Sequence, residues 1–197
     1  MKFSFLGTKI YISFFFMAAI TIMLATDRTG YMLPTLFAVV IHEAAHLFLM
    51  WVLDCAPLSV RLIPASVQIN KKFSFSQRND ILIAASGPVA NLLLFGCLYF
   101  NYAAFGNEMV LCYSLLNLII GCFNLLPVKG LDGGTILYCI ICKFKGQTKA
   151  TLIMQLITLI LAVAVIFVAV TLTFRHRFNI SIYIVGIYLF IMGLMKF

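Results

Sequence analysis

The chain has 197 residues, 63% of them hydrophobic and 10% charged, with a mean hydropathy of +1.09. Soluble domains are roughly half apolar and a quarter charged, so this composition excludes an ordinary water-soluble domain and leaves an integral membrane protein. The formal net charge of +8 does not call for a nucleic acid partner, because basic residues collect in the cytoplasmic loops of membrane proteins and beside anionic lipid.

Runs long enough to cross about 30 Å of hydrocarbon occur near residues 10–26, 32–53, 81–105, 109–126, 150–174 and 180–195, and they predict an all-α polytopic protein with six transmembrane helices. Lys2 and Lys9 precede the first run as they would in a secretory signal. No small-x-small cleavage site separates that run from the second, so it is read as a span. With six crossings, both termini and the loops 54–80 and 127–149 share one side. That side holds eleven of the fourteen basic residues, with Arg28, Arg175 and Arg177 opposite. Both termini are therefore expected in the cytoplasm.

In the first long loop, "SVRLIPASVQINKKFSFS" alternates apolar with polar residues (Val67, Ile69; Phe73, Phe75) and is broken by Pro64 and Asn70. The alternation predicts a short cytoplasmic-side β-hairpin or re-entrant loop, whose edge suits an extended peptide added as a strand. Gly87-Pro88 predicts a kink or broken turn in the third span. "NLLPVKGLDGG" at 124–134 ends the fourth span in irregular backbone, which a membrane tolerates only against protein or a wet cavity. The six cysteines lie mostly in or near apolar spans as small hydrophobes, and the lone "CIIC" at 139–142 is a weak metal signal. One membrane domain over 1–197 is expected.

The second span carries "HEAAH". On a helix, His42 and His46 lie on one face about 6 Å apart and can converge on one ion, while Glu43 can reach a metal-bound water as general base. Three histidines in 197 residues make chance a poor explanation, and ionisable groups at membrane depth are functional candidates because their burial is costly. A catalytic zinc takes three protein ligands and a water. Of the acidic residues, Asp27 and Glu108 fall on the far side, and Asp54 and Asp80 read as solvated loop charges. Asp132, flanked by Gly130, Gly133 and Gly134, lies just past the cytoplasmic end of the fourth span, where glycine flexibility lets a loop fold back; it is the expected third ligand. His176, in "FRHRF" on the opposite side, is expected to be interfacial.

These residues resemble the site-2 protease group of intramembrane zinc metalloproteases, peptidase family M50. "HEAAH" matches its HExxH, "FNLLPVKGLDGG" its N-x-x-P-x-x-x-x-D-G motif, and "SGPVANLLL" its G-P-x-x-N segment. The resemblance implies Zn²⁺ on His42, His46 and Asp132 with Glu43 as base, Asn124 and Pro127 facing substrate, and Gly87, Pro88 and Asn91 packing beside the site. It implies a membrane-associated or single-span protein substrate cut near the cytoplasmic face of a bacterial membrane, with a regulatory membrane partner. The chain looks most like the short branch that contains a stage IV sporulation protease, and it is expected to have neither a PDZ insertion nor a carboxyl-terminal CBS domain. That branch would make the substrate a sigma-factor precursor and place the protein in a forespore membrane. Two rival readings are a CAAX-type membrane protease with a glutamate as third ligand, for which Glu108 lies on the wrong side, and a non-catalytic metal-binding protein or transporter.

Overall fold

The computed structural model describes residues 2–5, 8–12, 14–55, 59–63, 66–70, 76–174 and 180–194. His176, Pro64, Phe73 and Phe75 lie outside them. The elements run β1 (Lys2–Phe5), β2 (Thr8–Ile12), α1 (Phe14–Thr26), α2 (Met32–Val52), β3 (Ser59–Ile63), β4 (Ser66–Asn70), α3 (Gln77–Phe105), α4 (Glu108–Asn124), α5 (Asp132–Lys145), α6 (Gln147–Phe174) and α7 (Ile180–Leu194). The chain divides into two compact units, residues 1–122 and 123–197.

In the first unit the strands form one sheet in the order β1-β2-β3-β4. β1 and β2 pair antiparallel, β2 and β3 parallel with Ile10 opposite Val60, and β3 and β4 antiparallel with Val60 opposite Ile69. Strands are expected from the sequence only in the 54–80 loop, where β3 and β4 lie; β1 and β2 are the departure from that expectation. The first apolar run does not enter a helix at residue 10: its start is strand through Ile12, and α1 has 13 residues. At 1.5 Å per residue α1 reaches only about 20 Å. The reason is tertiary, since β2 finds its parallel partner some fifty residues downstream, beyond any local hydropathy window.

The helices α2, α3 and α6 are long and apolar enough to cross a membrane; α4 and α7 are apolar but shorter. The six expected spans thus fall on α1, α2, α3, α4, α6 and α7, and three of those helices reach crossing length. α3 continues through Gly87 and Pro88 as one helix of 29 residues instead of breaking there. Proline removes one backbone donor, and the rest of the long apolar helix carries the segment past it.

The second unit holds a further correction. The 127–149 segment, expected as a loop, contains α5, with Lys143 and Lys145 in its last turn where cations favour the helix dipole. α6 and α7 pack through small residues: a Cβ at Gly186 would meet Ile166 Cγ1 at 2.7 Å, and one at Gly193, two turns on, would meet Leu159 Cδ2 at 2.9 Å. Close approach at small residues is how apolar helices associate where lipid tails remove the hydrophobic drive. Val128, Ala162 and Leu189 form the buried centre of this unit.

Candidate metal centre

α2 buries Ala38, His42, His46 and Met50, a stripe at four-residue spacing that places both imidazoles on one face. His42 and His46 are 5% and 7% exposed. Their ring centroids lie 4.8 Å apart with planes at 84°.

Each ring is held through Nδ1. That of His42 is 2.6 Å from Asn91 Oδ1 on α3. That of His46 is 2.7 Å from the Ile83 carbonyl and 3.2 Å from Ser86 Oγ, whose hydroxyl donates to the same carbonyl at 2.7 Å. A carbonyl oxygen only accepts, so Nδ1 carries the hydrogen and Nε2 is the basic nitrogen of each ring.

The two Nε2 atoms converge. A Cβ added to Gly87 would lie 2.7 Å from His42 Nε2 and 2.5 Å from His46 Nε2. Any residue larger than glycine would fill the space into which both nitrogens point, so Gly87 is more than a packing residue of α3. Neutral imidazoles held from behind by oxygen acceptors are the arrangement that orients zinc-bound histidines, and the donor pair fits Zn²⁺ at its usual Zn–N distance of about 2.0–2.1 Å. Glu43 follows His42 on α2 and is half-buried.

The second motif lies in the other unit. Asn124 is the last residue of α4, and Pro127 belongs to the 125–131 turn. The turn is closed by Leu126 N–H to the Phe123 carbonyl (3.1 Å), Val128 N–H to the Leu126 carbonyl (2.7 Å) and Leu131 N–H to the Val128 carbonyl (3.1 Å). Lys129 N–H donates to the buried Thr158 Oγ1 at 3.2 Å, and Gly130 adopts φ +90°. Asp132 opens α5 and is half-buried, at the end of the helix dipole that favours a carboxylate.

Gly133 and Gly134 are helical and buried. A Cβ on Gly133 would run into the Leu125 carbonyl, and one on Gly134 into the Val128 carbonyl. Their role is to let the turn pack on the first turn of α5, which corrects the expectation of a flexible glycine loop.

Four acids lie outside the two motifs. Asp27 closes its own loop, Asp54 is exposed at a turn with φ +53°, and Glu108 is exposed in the first turn of α4. Asp80, expected in a loop, sits half-buried in the first turn of α3.

Sequence reasoning brought His42, Glu43, His46, Gly87, Pro88 and Asn91 into one neighbourhood but missed Ser86, the Ile83 carbonyl and Asn117. Asn117 donates to the Tyr113 carbonyl (2.9 Å) and accepts from Asn91 Nδ2 (3.0 Å). A signal for it existed: an amide in the middle of an apolar helix is costly to bury unless both of its ends are bonded.

A buried imidazole pair with a glutamate between them, on a helix long and apolar enough to cross a membrane, is the pattern of a candidate HExxH metal site in a membrane protein. Known proteins narrow the class. Residues 102–168, which carry Asn124, Pro127 and Asp132, match the family model of Peptidase family M50. A 120-residue stretch, 58% of this chain, is 30% identical to a zinc metalloprotease of Methanocaldococcus jannaschii and covers 35% of that protein. The chain thus spans about a third of that curated relative. Among solved structures, the site-2 protease from Methanocaldococcus jannaschii superimposes with a TM-score of 0.69 at 21% identity, over 98% of this chain and 93% of that one. The fold is therefore that of a site-2 protease, and the family-model match and the curated relative support the M50 zinc metalloproteases.

Proposed function

We propose that this chain is an intramembrane zinc metalloprotease of peptidase family M50, hydrolysing a peptide bond of a membrane-associated or single-span protein near the cytoplasmic face. The observation that carries the reading is the convergence of His42 and His46 Nε2 on the space that Gly87 leaves open, with each Nδ1 bonded to an oxygen behind it. Asp132 is the third ligand in this reading: it lies in the stretch that matches the family, whereas Asp54 and Glu108 are exposed and Asp27 is bonded within its own loop.

Zinc, when bound, would polarise the scissile carbonyl and bring the attacking water's pKa toward neutrality. Glu43 takes the proton from that water and returns it to the leaving amine. α3 keeps both Nε2 atoms aimed by holding the rings from behind. Asn124, with Pro127 shaping the turn after it, orients the substrate backbone or steadies its developing oxyanion. A helical substrate hides its amides in i to i−4 bonds, so the scissile segment must become extended. β4, an edge of the sheet among the described residues, offers it a strand partner.

The reading also takes both termini as cytoplasmic, residues 1–197 as one membrane-embedded protease domain, and the chain as working with a regulatory membrane partner. Its finest form is cleavage of a sigma-factor precursor during sporulation, which rests only on the resemblance to the short, six-span branch without a PDZ insertion.

The test is co-expression of the wild type or Glu43→Gln with a panel of single-span proteins. Fragments specific to the wild type are expected, with Glu43→Gln about 10²- to 10⁴-fold less active while retaining zinc. Zinc retention with no wild-type fragment across the panel would move the protein to the non-catalytic metal-binding class. Full zinc retention in Asp132→Ala would remove Asp132 from the ligand set.

A further inference from the structure

The two imidazoles are held by different kinds of group. His46 leans on a backbone carbonyl of α3, which no side-chain substitution removes. His42 leans on an amide side chain, and an amide can turn over and present its NH₂ instead.

What stops Asn91 from turning over lies on two other helices. Its Nδ2 donates to the Ala38 carbonyl of α2 at 3.1 Å and to Asn117 Oδ1 of α4 at 3.0 Å. Asn117 is itself fixed, because its Nδ2 donates to the Tyr113 carbonyl at 2.9 Å. Backbone carbonyls only accept, so the bond to Tyr113 sets which end of Asn117 faces Asn91. Ala38 and Asn117 together set which end of Asn91 faces His42. Asn91 and Asn117 are 0% and 4% exposed, so water does not compete for these bonds.

α4 is shaped for this contact. Ser114, Asn117 and Gly121 form its buried face at helical spacing. A Cβ at Gly121 would lie 3.3 Å from Asn91 Cβ and from the Pro88 carbonyl, and Ser114 Oγ donates to the Phe95 carbonyl at 3.1 Å.

We propose that Asn117 is a positioning residue for the metal centre: through Asn91 it holds His42 in the tautomer whose Nε2 points at the metal, making α4 part of the site although it supplies no atom to the ion. The proposal rests on the metal-site reading above, and its test separates the two.

The experiment measures Co²⁺ and Zn²⁺ affinity of the full chain in detergent, together with the ¹⁵N spectrum of the imidazoles in metal-free protein above the histidine titration range. Asn117→Leu is expected to weaken metal binding about 10- to 100-fold, the usual effect of losing a partner behind a metal-bound histidine. His42 Nε2 should then lose its unprotonated signature. Asn117→Ser keeps a hydroxyl that can bond the i−4 carbonyl and still accept from Asn91, and it is expected to lose less than about 10-fold. Ser114→Ala removes a neighbouring α3–α4 bond outside the relay and is expected to leave both readouts unchanged.

Unchanged affinity and an unchanged His42 signal in Asn117→Leu would overturn the proposal, as would Ser114→Ala matching its loss or Asn117→Ser showing no rescue. A wild type that binds neither ion would sink the metal-site reading, while the ¹⁵N signal of His42 would still decide whether the relay sets its tautomer.

Discussion

In residues 1–122 side chains do much of the aiming of the candidate ligands, with the Ile83 carbonyl behind His46 the main-chain exception. Asn91 and Ser86 meet the imidazoles of α2, Asn117 stands behind Asn91, and Gly87 is small because ring atoms of another helix occupy the space in front of it. In residues 123–197 backbone does the same work. Gly133 and Gly134 are small because the Leu125 and Val128 carbonyls press on the first turn of α5, and the turn that delivers Asp132 is closed mainly by main-chain bonds. Side-chain atoms can rotate aside when crowded, whereas main-chain atoms move only with the whole turn. Glycines of similar burial should therefore fail in different ways when replaced.

The largest expected effect is that of Gly134→Ala. Its Cβ would overlap the Val128 carbonyl, and relief requires moving the turn that contains the buried Val128. A destabilisation upward of about 3 kcal/mol is expected, at or beyond the usual range for overpacking, read as a loss of folded protein in detergent. A normal melting temperature would break the comparison.

Gly87→Ala should instead spare most of the fold and remove the metal. The new methyl would occupy the point on which both Nε2 atoms converge, so the rings must turn away. Zinc affinity is expected to fall by more than the roughly 10- to 100-fold typical of a lost partner behind a ligand, with little change in helical content. Retained zinc in Gly87→Ala would mean that the rings bind through another geometry.

The smallest effect sharpens the contrast at the loop that leads into α2. Asp27 Oδ1 accepts from Thr29 Oγ1 (2.7 Å), Thr29 N–H (2.9 Å) and Gly30 N–H (3.2 Å), and Oδ2 accepts from Met32 N–H (2.9 Å). The Thr29 hydroxyl first, then the Met32 and Thr29 amides, hold its carboxyl below the usual value. A lowered folded-state pKa contributes stability above the unfolded value and loses it as pH falls through the folded one. Asp27→Asn should lower the melting temperature at pH 7, and the gap to the wild type should close below about pH 4. A wild-type α2 entry that ignored acid would blur the contrast between this carboxylate-held loop and the turn before α5, where main-chain bonds dominate.

HExxH was legible because a helix repeats every 3.6 residues, so four-residue spacing alone puts two imidazoles on one face. The glycines flanking Asp132 were visible too, but their purpose was misread: flexibility is a property of the isolated residue, whereas the carbonyls that require the missing Cβ come from a turn folding back. α5 was passed over because its neighbourhood is polar and broken, although its apolar face and basic last turn are local features.

The sequence by itself determined the apolar character of the chain, its long apolar helices and the placing of His42 and His46 on one helix face, since these follow from composition and short-range periodicity. Only the tertiary structure decided which nitrogen of each ring faces the space at Gly87, why position 87 must be glycine, that Asn117 stands behind Asn91, and that β2 pairs with β3. Each depends on contacts between residues tens of positions apart, and no local pattern encodes which distant carbonyl or amide a buried polar group will meet.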